Sequence, residues 1–183
     1  MKIRLASSVT FDSIVDGPGL RAVVWAQGCK HNCKNCHNPQ THSIYGGKLV
    51  NTGEVIKEIR KKRLQSGVTL SGGEPFLQPE AFEEIARELK KDGKNIWSFT
   101  GFTFEQLLNK NNENYFKNLK LLRSIDVLVD GKFDESKKDI SLKFRGSSNQ
   151  RVIDVQKSLK EKRVVLDERF EKGYVDSFLP AAK

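Results

Sequence analysis

The 183-residue chain contains three cysteines, Cys29, Cys33 and Cys36, which form one C-x3-C-x2-C run. Closely spaced thiolates of this kind bind iron–sulfur clusters, which are usually held by four cysteines. If three thiolates hold a [4Fe–4S] cluster, one iron lacks a protein ligand and is open to a substrate or a cofactor. The chemistry of the chain is therefore concentrated in a single loop that the rest of the fold has to support.

Two other uses of the three thiols are a disulfide framework and a zinc site. A disulfide framework is disfavoured because the number of cysteines is odd and all three lie within eight residues. A zinc site stays open, since Cys3His is a common structural ligand set. Zinc ligands usually come from two separated pairs, however, whereas every candidate here lies in one stretch of fourteen residues. The spacing favours a cluster; the histidines that would complete a zinc site are His31, His37 and His42.

Apolar periodicity predicts that strands and helices alternate along the chain. A helix is expected over Pro79–Lys91, because its apolar residues recur on one helical face and its charges suit the helix ends. Another helix follows a capping box of Thr103 and Gln106 and continues, interrupted at Asn111 and Asn112, to residue 123. A cationic amphipathic segment covers residues 52–64, and buried strands are expected at residues 67–70, 95–100 and 125–129.

Strands that alternate with helices at this spacing imply parallel βαβ units, which bind ligands at the carboxyl ends of their strands. The motifs of the chain converge on that edge. They are the cysteine loop, Gly72 with Gly73, Thr100 with Gly101, and Asp130 to Lys132. At 183 residues the chain is short for a closed eight-unit barrel, which typically has about 250 residues.

Four sequence motifs, in a fixed order, carry a resemblance to a known family. The first three lie at residues 13–21, at residues 27–39 and at Gly72-Gly73-Glu74-Pro75. The fourth consists of the two stretches 125–133 and 143–154. Together they resemble the radical S-adenosylmethionine enzymes and, within them, the activating proteins of glycyl-radical enzymes. Among those activating proteins, the motifs resemble the activases of anaerobic (class III) ribonucleoside-triphosphate reductases. The resemblance extends from about residue 9 to residue 155.

This resemblance implies a fold and two cofactors. The expected fold is α/β, a partial open (β/α) barrel, with an activase domain at residues 1–155 and a C-terminal extension at residues 156–183. The implied cofactors are a [4Fe–4S] cluster on Cys29, Cys33 and Cys36, and S-adenosylmethionine, whose amino and carboxylate groups chelate the fourth iron. The open side of the barrel is expected to admit a protein.

The resemblance also assigns cofactor contacts to particular residues. Backbone groups of Asn35, Cys36 and His37 are expected at the adenine, although many members carry an aromatic residue where this chain has Asn35. The Gly72-Gly73-Glu74 segment is expected at the methionyl amino group, and Asp130, Gly131 and Lys132 beside the ribose and carboxylate. Taken alone, both segments are also typical of turns. No catalytic residue is expected beyond these ligands; Asp16 is either a docking point for the target or an ordinary turn residue.

The implied activity is reductive cleavage of S-adenosylmethionine, followed by removal of a hydrogen atom from a backbone glycine of the reductase. Two alternatives stay open. One is activation of another glycyl-radical enzyme such as pyruvate formate-lyase, and the other is a zinc-binding module without catalysis. The electron is expected from reduced flavodoxin or a similar donor.

The net charge of +9 includes a basic cluster at Lys57, Arg60, Lys61, Lys62 and Arg63. No nucleic-acid module is recognisable, so nucleic acid is not an expected partner; the cluster is either a solvated helix face or a surface that steers an acidic electron carrier. No membrane span or signal-peptide pattern is evident. Reduced thiols and an oxygen-labile cluster indicate a cytoplasmic protein.

Overall fold

The computed structural model describes residues 1–171, which form one mixed sheet with helices packed on it. The strands are β1 (Lys2–Leu5), β2 (Thr10–Ser13), β3 (Arg21–Ala26), β4 (Lys48–Asn51), β5 (Gly67–Gly72), β6 (Asn95–Phe99), β7 (Val127–Asp130) and β8 (Arg151–Asp154). The helices are α1 (Thr52–Lys61), α2 (Pro79–Lys91), α3 (Phe104–Leu107), α4 (Tyr115–Ser124), α5 (Val155–Glu161) and α6 (Glu168–Glu171).

The sheet has the order β4-β1-β3-β5-β6-β7-β8, and β2 also pairs with β3. Its central strands β3, β5, β6 and β7 are parallel, whereas β1, β2, β4 and β8 pair antiparallel with their neighbours. The end strands β4 and β8 do not pair with each other among the residues described, so the sheet is open. The expectation of an open α/β architecture is confirmed.

The helix predictions agree closely with the structure. Helix α2 has the expected bounds, and its stripe is fully buried; Gly93, with a φ of 77°, follows its end. Thr103 and Gln106 form the predicted capping box at α3. The chain then leaves the helix until Tyr115, because asparagine side chains there accept hydrogen bonds from nearby backbone N–H groups. Helix α1 ends at Lys61, three residues before the predicted end of the amphipathic segment.

The two faces of the sheet carry different apolar clusters. The helix-side core includes Leu128, whereas Val127 and Val129 belong to the inner cluster with Trp97. Because successive side chains of a strand point to opposite faces, Asp130 lies on the same side as Leu128, toward the helices. This alternation decides which residues at the end of β7 can line the interior.

Arg21 crosses the amino-terminal ends of the parallel strands. Its side chain is 1% exposed and donates hydrogen bonds to Thr69 Oγ1 at 2.6 Å, to the Val68 carbonyl at 2.8 Å and to the Asn95 carbonyl at 3.0 Å. Its guanidinium also lies 5.5 Å from the Trp97 ring centre. Burial lowers the pKa of Arg21 to about 10, against the opposing effect of Asp126 and Asp16. Arg21 thus closes one end of the interior and leaves the carboxyl end for a ligand.

The predicted domain boundary between residues 155 and 156 falls within helix α5. The chain beyond it continues to pack on the sheet: the Asp154 N–H donates to the Val165 carbonyl at 2.9 Å, and the Phe170 ring lies 5.3 Å from that of Trp97. The rest of the predicted extension, residues 172–183, lies outside the described residues. Within the described part of the chain, no helix combines the length and apolar character needed to cross a membrane.

Candidate iron–sulfur and cofactor site

The cysteine loop leaves the end of β3 and is fastened at its base. Gly28 N–H donates to the Thr41 carbonyl at 2.8 Å, and Cys29 N–H donates to the His42 carbonyl at 3.0 Å. The Gly28 carbonyl in turn accepts from Glu74 N–H at 2.8 Å. Both ends of the loop are therefore joined to each other and to the segment that follows β5.

Two asparagines give the loop its shape. Asn32 has a φ of 50° and Asn35 a φ of 53°, and each immediately precedes a cysteine. Asparagine adopts this left-handed conformation more readily than most other residues. The two turns bring Cys29, Cys33 and Cys36 to the wall of one open cavity of about 960 Å³. The two Asn-Cys pairs are the feature of the sequence that indicates these turns. The left-handed backbone at Asn35 also explains why this chain has asparagine where many family members carry an aromatic residue.

The thiols are free and partly buried. Burial raises the pKa of Cys29, with a further rise from Glu74, although the His31 backbone N–H opposes it. Burial also raises the pKa of Cys33, against the Phe133 backbone N–H and the charge of Lys132. Metal ligands bind as thiolates, so loading of this site releases protons.

The arrangement suits a cluster better than a single zinc ion. Among residues 1–171, no three histidine, cysteine or carboxylate side chains converge closely enough to hold one metal ion. His31 donates or accepts a hydrogen bond with Glu74, and the His37 ring packs 5.1 Å from that of Phe133. Three thiols that line one cavity instead suit ligands that each hold a different iron, as in a [4Fe–4S] cluster.

Gly72 and Gly73 lie where the end of β5 meets the base of the cysteine loop. A Cβ on Gly72, whose φ is 98°, would lie 2.7 Å from the backbone nitrogen of Ala26, and one on Gly73 would lie 2.4 Å from the Gly28 carbonyl oxygen. Both glycines also line the cavity. Close approach of the protein's own backbone therefore already requires glycine at both positions.

Glu74 does not line the cavity. Its side chain is 1% exposed and accepts hydrogen bonds from Phe76 N–H at 3.0 Å, Gly101 N–H at 2.9 Å and the Thr100 hydroxyl at 2.9 Å. The carboxylate therefore joins the ends of β5 and β6 behind the cavity wall.

Asp130 and Lys132 are not brought to the cavity either. Asp130 is 1% exposed, points toward the helices, and accepts from Phe104 N–H at 2.7 Å and from Arg151. Lys132 is exposed on a smaller cavity of about 600 Å³. Of this trio, Gly131, with a φ of 95°, lines the main cavity. For Asp130, the last residue of β7, the alternation of side chains along the strand is the physical reason.

Asn35 lies on the outer side of the loop, where its amide and Lys34 both contact the partly exposed Glu135. Cys36 and His37 line the cavity as expected. Phe133 and Gln150, which were not predicted as site residues, also line it. Gln150 Nε2 donates to the Gly131 carbonyl at 3.1 Å, and its Oε1 accepts from Gly146 N–H at 2.9 Å. The stretch 143–154 thereby folds back over the end of β7.

Comparison with known proteins agrees with this geometry. A family model described as a 4Fe-4S single cluster domain matches residues 15–153. The anaerobic ribonucleoside-triphosphate reductase-activating protein of Enterobacteria phage T4 is 35% identical over 145 residues, covering 75% of this chain and 86% of that protein. The proteins of the same name from Escherichia coli K12 and Vibrio cholerae are 34% and 35% identical, covering 75% of this chain and 90% and 89% of theirs.

The chain belongs to the family of anaerobic ribonucleoside-triphosphate reductase-activating proteins. As a member of this family of activating proteins it is a radical S-adenosylmethionine enzyme, with a [4Fe–4S] cluster and S-adenosylmethionine as its cofactors. The crystal structure of QueE from Escherichia coli superimposes on 56% of this chain and 54% of the QueE chain, with a TM-score of 0.47 and 16% sequence identity. This similarity is too remote to bear on function.

Proposed function

We propose that this protein activates an anaerobic ribonucleoside-triphosphate reductase by generating a glycyl radical on it. The observation that carries the proposal is the convergence of three free thiols and two strand-end glycines on one open cavity. The names of the relatives supply the target. When bound, the cluster and S-adenosylmethionine supply a carbon-centred radical by one-electron cleavage of the sulfonium.

The residues of the chain hold and orient these groups. We assign Cys29, Cys33 and Cys36 as the ligands of three irons. Contacts with S-adenosylmethionine are assigned to the residues of the expected set that line the cavity, which are Cys36, His37, Gly72, Gly73 and Gly131. Asn35, Glu74, Asp130 and Lys132 are outside the lining of the cavity, and of these Glu74 and Asp130 hold the strand ends behind its wall. Orientation by a fixed wall, with water excluded once the cavity is filled, is the protein's contribution.

The target glycine is proposed to enter over the rim formed by the segment after β2. Ile14 and Val15 are 68% and 73% exposed, and both line the cavity. Beside them, Asp16 accepts from the Ser13 hydroxyl at 2.6 Å, and its backbone carbonyl accepts from the Thr69 hydroxyl at 2.7 Å. A rim that is apolar but braced by hydrogen bonds suits a peptide segment of a partner protein better than a freely diffusing substrate.

The electron is proposed to come from reduced flavodoxin or a similar acidic carrier. The basic cluster of residues 57–63 lies at the carboxyl end of α1, next to the start of β5. The cysteine loop lies at the other end of the parallel strands, and six residues of strand span about 20 Å. The basic cluster therefore attracts the carrier through the electrostatic field of the whole protein. The carrier itself docks at the edge of the sheet where the cysteine loop lies.

The class of chemistry is tested by anaerobic reconstitution with iron and sulfide. The account expects a brown protein with about four irons and four sulfides per chain, which forms 5′-deoxyadenosine from S-adenosylmethionine on reduction. A colourless protein that binds one zinc ion with the same three cysteines contradicts it. Rates of reduction by flavodoxin that do not change with ionic strength argue against electrostatic steering.

A further inference from the structure

A buried hydrogen-bonded pair connects the cysteine loop to the sheet. His31 lies in the three-residue spacer between Cys29 and Cys33, and its Nε2 is 2.7 Å from Glu74 Oε2. The two side chains are 8% and 1% exposed. They are separated by 43 positions in the sequence, so the contact exists only in the folded chain.

Glu74 is a fixed point independently of His31. Backbone N–H groups of Phe76 and Gly101 and the hydroxyl of Thr100 already hold its two oxygens from the ends of β5 and β6. A carboxylate with this many donors has little freedom to move. Whatever it binds is therefore held in a defined place relative to both strands.

The His31 ring fits closely into its position. It packs edge-on against Phe102 with ring centres 4.5 Å apart. It also covers Gly101 so tightly that a Cβ there would lie 2.4 Å from His31 Cδ2. His31 follows Cys29 by two residues, and its backbone N–H lowers the pKa of that thiol, against the effect of burial. A fixed imidazole therefore fixes the backbone next to a cluster ligand.

The second half of the loop has weaker support. Lys34 is 86% exposed and lies 3.4 Å from the partly exposed Glu135, a contact of the kind that contributes little to stability. Cys36 N–H donates to the Cys33 carbonyl at 3.3 Å, which holds the loop to itself rather than to the sheet. Anchorage of the spacer to the strands thus depends on His31.

We propose that His31 is a positioning residue, whose hydrogen bond to Glu74 holds the Cys29–Cys33 turn in the conformation that binds the cluster. This inference rests on the proposed assignment of the three cysteines as cluster ligands. Because the turn is already ordered before the cluster binds, cluster binding does not have to supply the entropy cost of ordering it. The same hydrogen bond makes the turn open less often once the cluster is bound. Groups that orient metal ligands in this way typically change metal affinity about 10- to 100-fold when they are removed.

The test measures the rate at which a chelator removes iron from the anaerobically reconstituted protein. We expect His31→Ala to lose iron about tenfold faster than the unmodified protein or more. His31→Gln, which keeps a donor for Glu74, is expected to restore most of the retention. The matched control is Lys30→Ala, an exposed residue of the same spacer, which is expected to leave the rate unchanged.

Gly101→Ala is a second route to the same effect, because its Cβ displaces the ring while His31 and Glu74 are both present. It is expected to accelerate iron loss, and it decides the matter if His31→Ala does not fold. The inference is contradicted if His31→Ala and Gly101→Ala both lose iron at the rate of the unmodified protein. It is also contradicted if His31→Gln or Lys30→Ala loses iron as fast as His31→Ala. If the unmodified protein itself binds no cluster, the proposed function fails instead.

Discussion

Asp130 and Arg151 face each other across the antiparallel pair β7 and β8, and their side chains form a two-point ion pair. Arg151 Nε lies 2.9 Å from Asp130 Oδ1, and Nη2 lies 2.5 Å from Oδ2. The same guanidinium binds Glu105, and Asp130 accepts from the N–H of Phe104. One carboxylate thereby joins the end of β7 to β8 and to the start of α3.

Replacement of Asp130 is therefore expected to weaken the fold. Asp130→Ala leaves Arg151 and the Phe104 N–H without a buried acceptor, which should lower the free energy of unfolding by about 2–3 kcal/mol. Lys132→Ala, at an exposed neighbour, should change it by less than about 0.5 kcal/mol. Urea denaturation of both variants measures the difference. Equal stability of Asp130→Ala and the unmodified protein would refute this role.

The pair of Arg151 and Glu105 predicts a dependence of stability on pH. The Arg151 guanidinium holds the pKa of Glu105 down to about 2, below its ordinary value of 4.5. A carboxylate whose pKa is lowered by folding stabilises the protein above its ordinary pKa, and this stabilisation is lost as the pH falls toward the folded value. Because the Glu105 side chain is 59% exposed, the effect is small and sensitive to salt.

The measurement is the difference in free energy of unfolding between the unmodified protein and Glu105→Gln at several pH values. The difference is expected to be constant from about pH 7 to pH 5.5 and to shrink between about pH 4.5 and pH 2. A difference that grows as the pH falls below 4.5 would show that Glu105 is not stabilised in its charged form.

A third prediction concerns Arg21. Arg21→Met removes the donors to Thr69, Val68 and Asn95 and leaves their oxygens buried without this partner. We expect a loss of about 2–4 kcal/mol in the free energy of unfolding. Arg60→Met is the matched control, since Arg60 is 47% exposed and pairs with Asp92 at the surface; its loss should be much smaller than that of Arg21→Met. Similar losses in the two variants would contradict a special role for the buried guanidinium.

The fourth prediction concerns the cluster ligands. Replacement of any one of Cys29, Cys33 and Cys36 by Ala should abolish formation of 5′-deoxyadenosine, because the chain contains no other cysteine to substitute. The iron content of each variant after reconstitution provides an independent readout. Normal 5′-deoxyadenosine formation in one variant would remove that cysteine from the ligand set.

The features that were predictable from the sequence depend on local pattern. Helix α2 has an apolar stripe and end charges within thirteen residues, and its bounds were predicted correctly. The capping box of Thr103 and Gln106 is likewise local. The parallel strands followed from the alternation of helices and strands, because such units place all carboxyl ends at one edge.

The features that were not predictable depend on contacts between distant segments. The direction of Asp130 follows from which face of β7 meets the helices, and its partner Arg151 lies 21 positions away. Glu74 likewise meets His31 from 43 positions away. A motif that identifies these residues does not specify whether a side chain points into the cavity or behind its wall. Strand register and packing decide that.

The central claim is that the radical formed in this cavity is passed to a glycine of the reductase. The most direct measurement is electron paramagnetic resonance after anaerobic incubation of the reduced, cluster-loaded protein with S-adenosylmethionine and an anaerobic ribonucleoside-triphosphate reductase. The account predicts the doublet of a protein-borne glycyl radical, which is absent when S-adenosylmethionine is omitted and weak when pyruvate formate-lyase replaces the reductase. A strong doublet with formate-lyase and none with the reductase would contradict the assigned target.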